Sequence, residues 1–162
     1  MNPRIDMNRH LGSGMARAML ALSSEVEASL ERRLIELVKI RASQINGCAY
    51  CIDMHTKEAR LAGETEQRIY ALSAWRETPF FNERERAALE WTEAVTLVAD
   101  GHVPDELYAR AREHFSEEEL VNLTLAVITT NGFNRLNIAF RTEAGGYRPG
   151  MFDHPRGMAA AR

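Results

Sequence analysis

The chain has 162 residues, 45% of them hydrophobic, enough for one domain with a core that needs no cross-links. Charged residues make up 27% and the formal net charge is −3, without the basic excess or stripe of a nucleic-acid binder. The start, M-N-P-R-I-D-M-N-R-H, is polar, and no bilayer-length apolar run follows; the expectation is a cytosolic protein with no signal peptide and no membrane contact.

Helical periodicity recurs along the chain, with no strand-like alternation, internal repeat or low-complexity tract. Met15 to Leu30 places Met15, Ala18, Met19, Leu22, Val26 and Leu30 at a helical rhythm. Glu31 to Ile45 follows, with Leu34, Ile35, Leu37, Val38 and Ile40 in a stripe so wide that this helix is expected deep in the core. Asn46-Gly47 is a turn dipeptide. A third helix is predicted from about Cys48 to Leu61, stopped by Gly63, and a shorter one from Thr65 to Trp75, ended by Thr78-Pro79. Asn82 and Glu85 form a capping box for a helix that turns Leu89, Val95 and Leu97 inward and ends at Gly101. Pro104 suits the first turn of a helix over Asp105 to His114. Ser116 to Glu119 is a second capping box, opening a long apolar helix through Leu120, Leu123, Leu125, Val127 and Ile128 toward Phe140. The prediction is an all-α, single-domain helical bundle over residues 1–144. A Gly/Pro-rich, irregular C-terminal arm over 145–162 is either disordered or laid on a neighbouring subunit.

The chain has two cysteines, and both lie in N-G-C-A-Y-C-I-D-M-H, residues 46 to 55. In a reducing compartment a C-x-x-C pair points to catalysis or metal binding before a structural staple. At about 100° per residue, Cys48, Cys51 and His55 share one helix face, with the cysteines within disulfide reach. The helix N-terminus favours thiolate through unpaired N–H groups and the positive dipole end, and this favours Cys48 as the more acidic thiol. His55, one turn beyond Cys51, can take or give a proton. If the second and third helices pair about Asn46-Gly47, Glu36 and His55 lie at similar depth, about 12–15 Å from the turn by helical rise. Glu36 stands in the apolar run L-I-E-L-V-K-I and needs a partner there. Glu36 is therefore expected to orient His55, which serves Cys51.

Glu36, eleven residues, Cys48-Ala49-Tyr50-Cys51, three residues and His55 resemble the active-site signature of the alkylhydroperoxidase D-like proteins of the carboxymuconolactone decarboxylase superfamily. The flanking R-A-S-Q-I-N-G-C-A-Y-C-I-D-M-H-T-K-E-A-R and the downstream E-R-A-A-L-E-W-T-E-A-V-T are similar to that family's core, and the likeness runs from about Met15 to Arg141. The resemblance implies an all-helical fold assembling as trimers or hexamers, and hydroperoxide reduction by the cysteine pair. Cys51 would be peroxidatic and Cys48 resolving, with His55 and Glu36 as the proton relay. It implies no cofactor and no metal, and a lipoyl- or thioredoxin-like dithiol reductant as partner. Where the best-studied type carries a histidine before the second cysteine, this chain has Tyr50, one proton carrier fewer.

Other readings carry less weight. The two cysteines can be buried simply as small apolar residues. Cys48, Cys51, His55 and Glu36 are all ligand-capable, but structural zinc sites usually draw on two separated ligand pairs. A decarboxylase-like lyase would share the fold without needing cysteines, and a non-enzymatic redox-sensing or metal-binding oligomer would close the disulfide without turnover. No G-x-G-x-x-G fingerprint is present for a nicotinamide cofactor. His102 and His114 read as solvated or capping, His10 and His154 as terminal, and Trp75 and Trp91 as core or interface aromatics. Asn131, Asn134 and Arg135 sit in an apolar helix and need partners there, on neighbouring helices, across a subunit contact or in the thiol pocket.

Overall fold

The computed structural model describes residues 2–12 and 14–151. Among these, every regular element is helical: α1 Asn8–Leu11, α2 Gly14–Glu27, α3 Arg32–Asn46, α4 Ala49–Leu61, α5 Glu66–Ala71, a 3-10 helix over Leu72–Glu77, α6 Glu83–Thr96, α7 Val98–Gly101, α8 Asp105–His114 and α9 Glu117–Phe140. The all-α expectation holds. The helices begin and end where local chemistry directs. Asn82 and Ser116 each accept the backbone N–H three residues on, while Glu85 and Glu119 reach back to the cap's own N–H, so both capping boxes are complete.

α3 is the central element, packing on α4, α6 and α9. Leu37, Val38 and Ile40 have no exposed surface, and each fully buried aliphatic side chain contributes about 1.5–3 kcal/mol of burial. One face of α3 joins Leu34 and Val38 to Trp91, Ala111, Phe115, Leu123 and Val127; another joins Leu37 and Ile40 to Ala59, Leu72, Trp75 and Leu89. Trp75 and Trp91 are thus core residues. A helix buried on both faces has few places for charge, yet Glu36 and Lys39 also lie inside, at 5% and 4% exposure.

Some expected core positions face out. Leu97 is 46% exposed. α6 ends at Thr96, and Leu97 sits between α6 and α7 at φ −100°, ψ 30°, off the helical stripe. Met15 and Leu22 are exposed because α2 packs mainly on α9 and α1 and covers the bundle from one side. Ile128 is exposed on the outer face of α9.

His102 adopts φ 56°, ψ −152° on the exposed link after α7, a region nearly reserved for glycine. His102→Gly should therefore stabilise the chain by about 1 kcal/mol, read as a higher urea midpoint; a lower midpoint would show that the imidazole makes a compensating contact.

Of the predicted arm, residues 152–162 lie outside the described residues. Residues 145–151 are irregular and run along α4. Gly145 N–H donates to Asp53 Oδ2 (3.1 Å), Lys57 Nζ to the Tyr147 carbonyl (3.0 Å), and Gly150 N–H to Glu58 Oε1 (3.1 Å). Tyr147 is buried and its hydroxyl donates to Glu58. This part of the arm therefore straps the helix that carries the cysteines.

Candidate active site

The turn between α3 and α4 sets the site. Gly47 closes α3 at φ 70°, ψ 31°, a left-handed conformation that a residue with a Cβ adopts only at a cost. The Cys48 N–H then bonds the Ser43 carbonyl at 3.0 Å, reversing the chain within three residues. Cys48 becomes the N-cap of α4, and its Sγ accepts the Cys51 N–H at 3.3 Å. Cys48 and Cys51 are joined as a disulfide with Cα atoms 5.3 Å apart, and both are 1% exposed.

The reversal makes α3 and α4 neighbours, which brings Glu36 and His55 together. His55 Nδ1 lies 3.1 Å from Glu36 Oε2. Burial works to raise the Glu36 pKa, but the hydrogen bond from His55 and the positive charges of His55, Lys39 and Arg32 outweigh it. The net direction is downward. Glu36 is then an ionised acceptor at neutral pH. An ionised Glu36 accepts from Nδ1, so this bond leaves Nε2 as the ring nitrogen available for proton exchange. His55 stands one turn beyond Cys51 on the same face of α4.

Asn137 was not singled out by sequence reasoning. Its Nδ2 donates to Cys51 Sγ at 3.5 Å from the far end of α9. Its signal was the spacing Asn131, Asn134, Asn137, a polar ladder every third residue in an apolar helix. The first two rungs serve the scaffold. Asn134 is fully buried and donates to Ser43 Oγ (3.0 Å); Asn46 Nδ2 donates to Asn134 Oδ1 (2.9 Å) and to Asn131 Oδ1. These bonds pin the end of α3, and so the cysteine turn, to α9. Arg135 is exposed and caps the Asn131 carbonyl. Asn137 is half-buried.

Tyr50, at the position where a histidine would stand, is half-buried. Burial first, then the charge of Asp53, pushes its phenol pKa above the usual range, so it stays protonated and is no base at neutral pH. His102 is exposed and His114 partly buried, its carbonyl accepting from Arg84; His154 lies outside the described residues. Among the described residues no group of three or more His, Cys, Asp or Glu is arranged to hold a metal ion, and no helix is long and apolar enough to cross a membrane.

Glu36, Glu64 and Glu93 share one consequence. Burial raises each carboxyl, and hydrogen bonds and cations lower it further than burial raises it: His55 and Lys39 for Glu36, Arg68 for Glu64, Trp75 and Arg76 for Glu93. A depressed folded-state pKa adds stability that is present above the unfolded value of 4.5 and is lost as pH falls through the folded value. Urea midpoints should hold from pH 7 to 5 and fall below about pH 4.5. A midpoint that did not change down to pH 3 would contradict these pairings.

Comparison with known proteins shows the family of the chain. The carboxymuconolactone decarboxylase family model matches residues 13–94, which include all four residues of the signature. The uncharacterized protein YdfG of Bacillus subtilis (strain 168) is 47% identical over 144 residues, 89% of this chain and 98% of that protein. A solved Agrobacterium tumefaciens structure, described as a candidate antioxidant defence protein AhpD of unknown function, superposes with TM-score 0.84 at 43% identity, covering 89% of this chain and 99% of that one. A Ralstonia eutropha structure described as an alkylhydroperoxidase AhpD core shares the fold at TM-score 0.72 and 18% identity, covering 82% of this chain and 71% of that one. The chain belongs to the carboxymuconolactone decarboxylase family, as an alkylhydroperoxidase D-like protein.

Proposed function

We propose that the protein is a thiol-dependent hydroperoxide reductase that cycles Cys48 and Cys51 between dithiol and disulfide. The observation that carries this reading is the bonded sulfur pair at the head of α4, with the hydrogen-bonded His55–Glu36 pair one turn away. In the reduced protein His55 Nε2 takes the proton of Cys51. The thiolate attacks the distal peroxide oxygen, the O–O bond breaks, and the alkoxide leaves as alcohol with the proton held by His55. Cys51 is now a sulfenic acid. The Cys48 sulfur displaces its oxygen as water and closes the disulfide. Two thiols and one hydroperoxide thus give one disulfide, one alcohol and one water. A dithiol donor of lipoyl or thioredoxin type restores both thiols. The sulfurs supply both electrons, so the cycle calls for no metal, flavin or haem.

Asn137 supports Cys51 as the attacking sulfur, since its amide N–H can stabilise a thiolate there. Cys48 keeps the rival advantage of the N-cap. Both sulfurs are nearly sealed in the oxidised form, so the hydroperoxide enters where half-buried Asn137 gives way. We place the protein in the reducing cytosol, as a homo-oligomer of trimer or hexamer type. Val121 and Ile128, seven residues apart on one face of α9 and 59% and 51% exposed, are the apolar surface that fits an oligomer contact.

The test is steady-state consumption of an organic hydroperoxide with dihydrolipoamide or reduced thioredoxin as donor. Turnover that iodoacetamide abolishes supports the reading. Disulfide formation without turnover by any dithiol would make the protein a sensor. Decarboxylation of a lactone acid that survives alkylation would make it a lyase.

A further inference from the structure

Lys39 is the unexplained residue of the core. A lysine costs free energy to bury, and a buried ion pair is weak grounds for stability. Its side chain is 5% exposed, yet it sits mid-helix between two carboxylates: its Nζ lies 3.6 Å from Glu36 Oε1 and is paired on the other side with Glu27. Glu27 is the last residue of α2, where the helix dipole disfavours an anion. Its side chain is 48% exposed. Glu36, at 7%, and His55, at 11%, complete a line of four contacting groups from the surface to the thiol helix.

We propose that Lys39 is a positioning residue of the thiol centre: lying between Glu27 and Glu36, it favours the carboxylate form of Glu36 and thereby holds His55 in the tautomer that can accept the Cys51 proton. This rests on the hydroperoxide-reductase reading for its purpose, though not for its test. The charged groups around Glu36 are His55 from α4, Lys39 and Arg32 from α3, and Glu27 from α2 behind Lys39; Arg32 is itself paired with Glu58 of α4 at 2.9 Å. Without the ammonium, one of the charges that offsets burial is gone, and the balance at Glu36 moves toward the protonated form. A carboxylic acid there donates to Nδ1, the ring hydrogen moves to Nε2, and Cys51 loses its base. Removing Glu27 has the opposite sign, because it leaves the Lys39 charge unopposed. That effect is smaller because Glu27 is half in solvent.

The experiment measures Cys51 alkylation by iodoacetamide against pH, in reduced protein carrying Cys48→Ser so that one thiol reports. Lys39→Gln should slow alkylation at neutral pH by about threefold or more and move the profile to higher pH. Lys39→Arg, which keeps the charge, should restore it. Glu27→Gln should move the profile to lower pH. If Lys39→Gln does not fold, the Glu27→Gln shift alone decides. A folded Lys39→Gln profile that overlays the parent, or a Glu27→Gln shift upward or absent, would overturn the proposal. A purely structural tie between α2 and α3 would lower thermal stability and leave the profile in place. The parent's own failure to consume hydroperoxide would sink the reductase reading without touching this comparison.

Discussion

Cys51→Ser should lower the rate of hydroperoxide consumption by about a thousandfold or more, the scale expected when a nucleophile is removed. A serine hydroxyl in this site lacks both the acidity and the polarisability to attack oxygen. Cys48→Ser should behave differently. Its first attack should survive, and the protein should stop with one oxidised sulfur per chain. Trapping with dimedone and mass spectrometry should then find the adduct on Cys51. The contest between the sulfurs is a contest between two donors: the backbone N–H of Cys51, which Cys48 Sγ accepts at 3.3 Å, and the amide of Asn137, which Cys51 Sγ accepts at 3.5 Å. Only Cys51 also has His55 one turn along its own helix. An adduct on Cys48 in the Cys51→Ser protein, with none on Cys51 in Cys48→Ser, would reverse the two roles.

Glu36→Gln is expected to slow Cys51 alkylation at pH 7 by about ten- to a hundredfold, at or below the lower bound of what a general base contributes, because Glu36 acts through His55. The sign follows from the direction of the Glu36 shift. The carboxyl is held below its usual range, so it is anionic at every pH where the thiol reacts. Gln is nearly isosteric but neutral, and its amide can offer N–H to Nδ1 and invert the tautomer. The alkylation profile should move to higher pH. His55→Gln should produce a similar loss, and the double variant should be little worse than either single one, because the two residues act as one unit. An unaltered profile in Glu36→Gln would remove Glu36 from the relay.

The helices were legible because their signals are local. Gly47, the capping boxes at Asn82 and Ser116, and the apolar run of Arg32–Asn46 each act within a few residues. The likeness of residues 36 to 55 to a known signature was legible for the same reason, since Glu36, Cys48, Cys51 and His55 lie on two consecutive helices. What stayed hidden was long-range. Asn137 meets Cys51 across 86 positions and Tyr147 meets Glu58 across 89, and no periodicity reports such pairs. Lys39 passed as one polar residue in an apolar run, its burial visible only once α2 brought Glu27 against it. Leu97 misled because its periodic position lies one residue past the end of α6.

The most direct measurement is a titration. The fully reduced protein, free of added reductant, is mixed with increasing amounts of an organic hydroperoxide, and thiols lost, alcohol formed and disulfide mass are counted together. Two thiols should vanish for each hydroperoxide reduced, with one intrachain bond between Cys48 and Cys51 and one alcohol. Peroxide consumed while both thiols persist, or sulfurs that pair only between chains, would contradict a dithiol centre built at the head of α4.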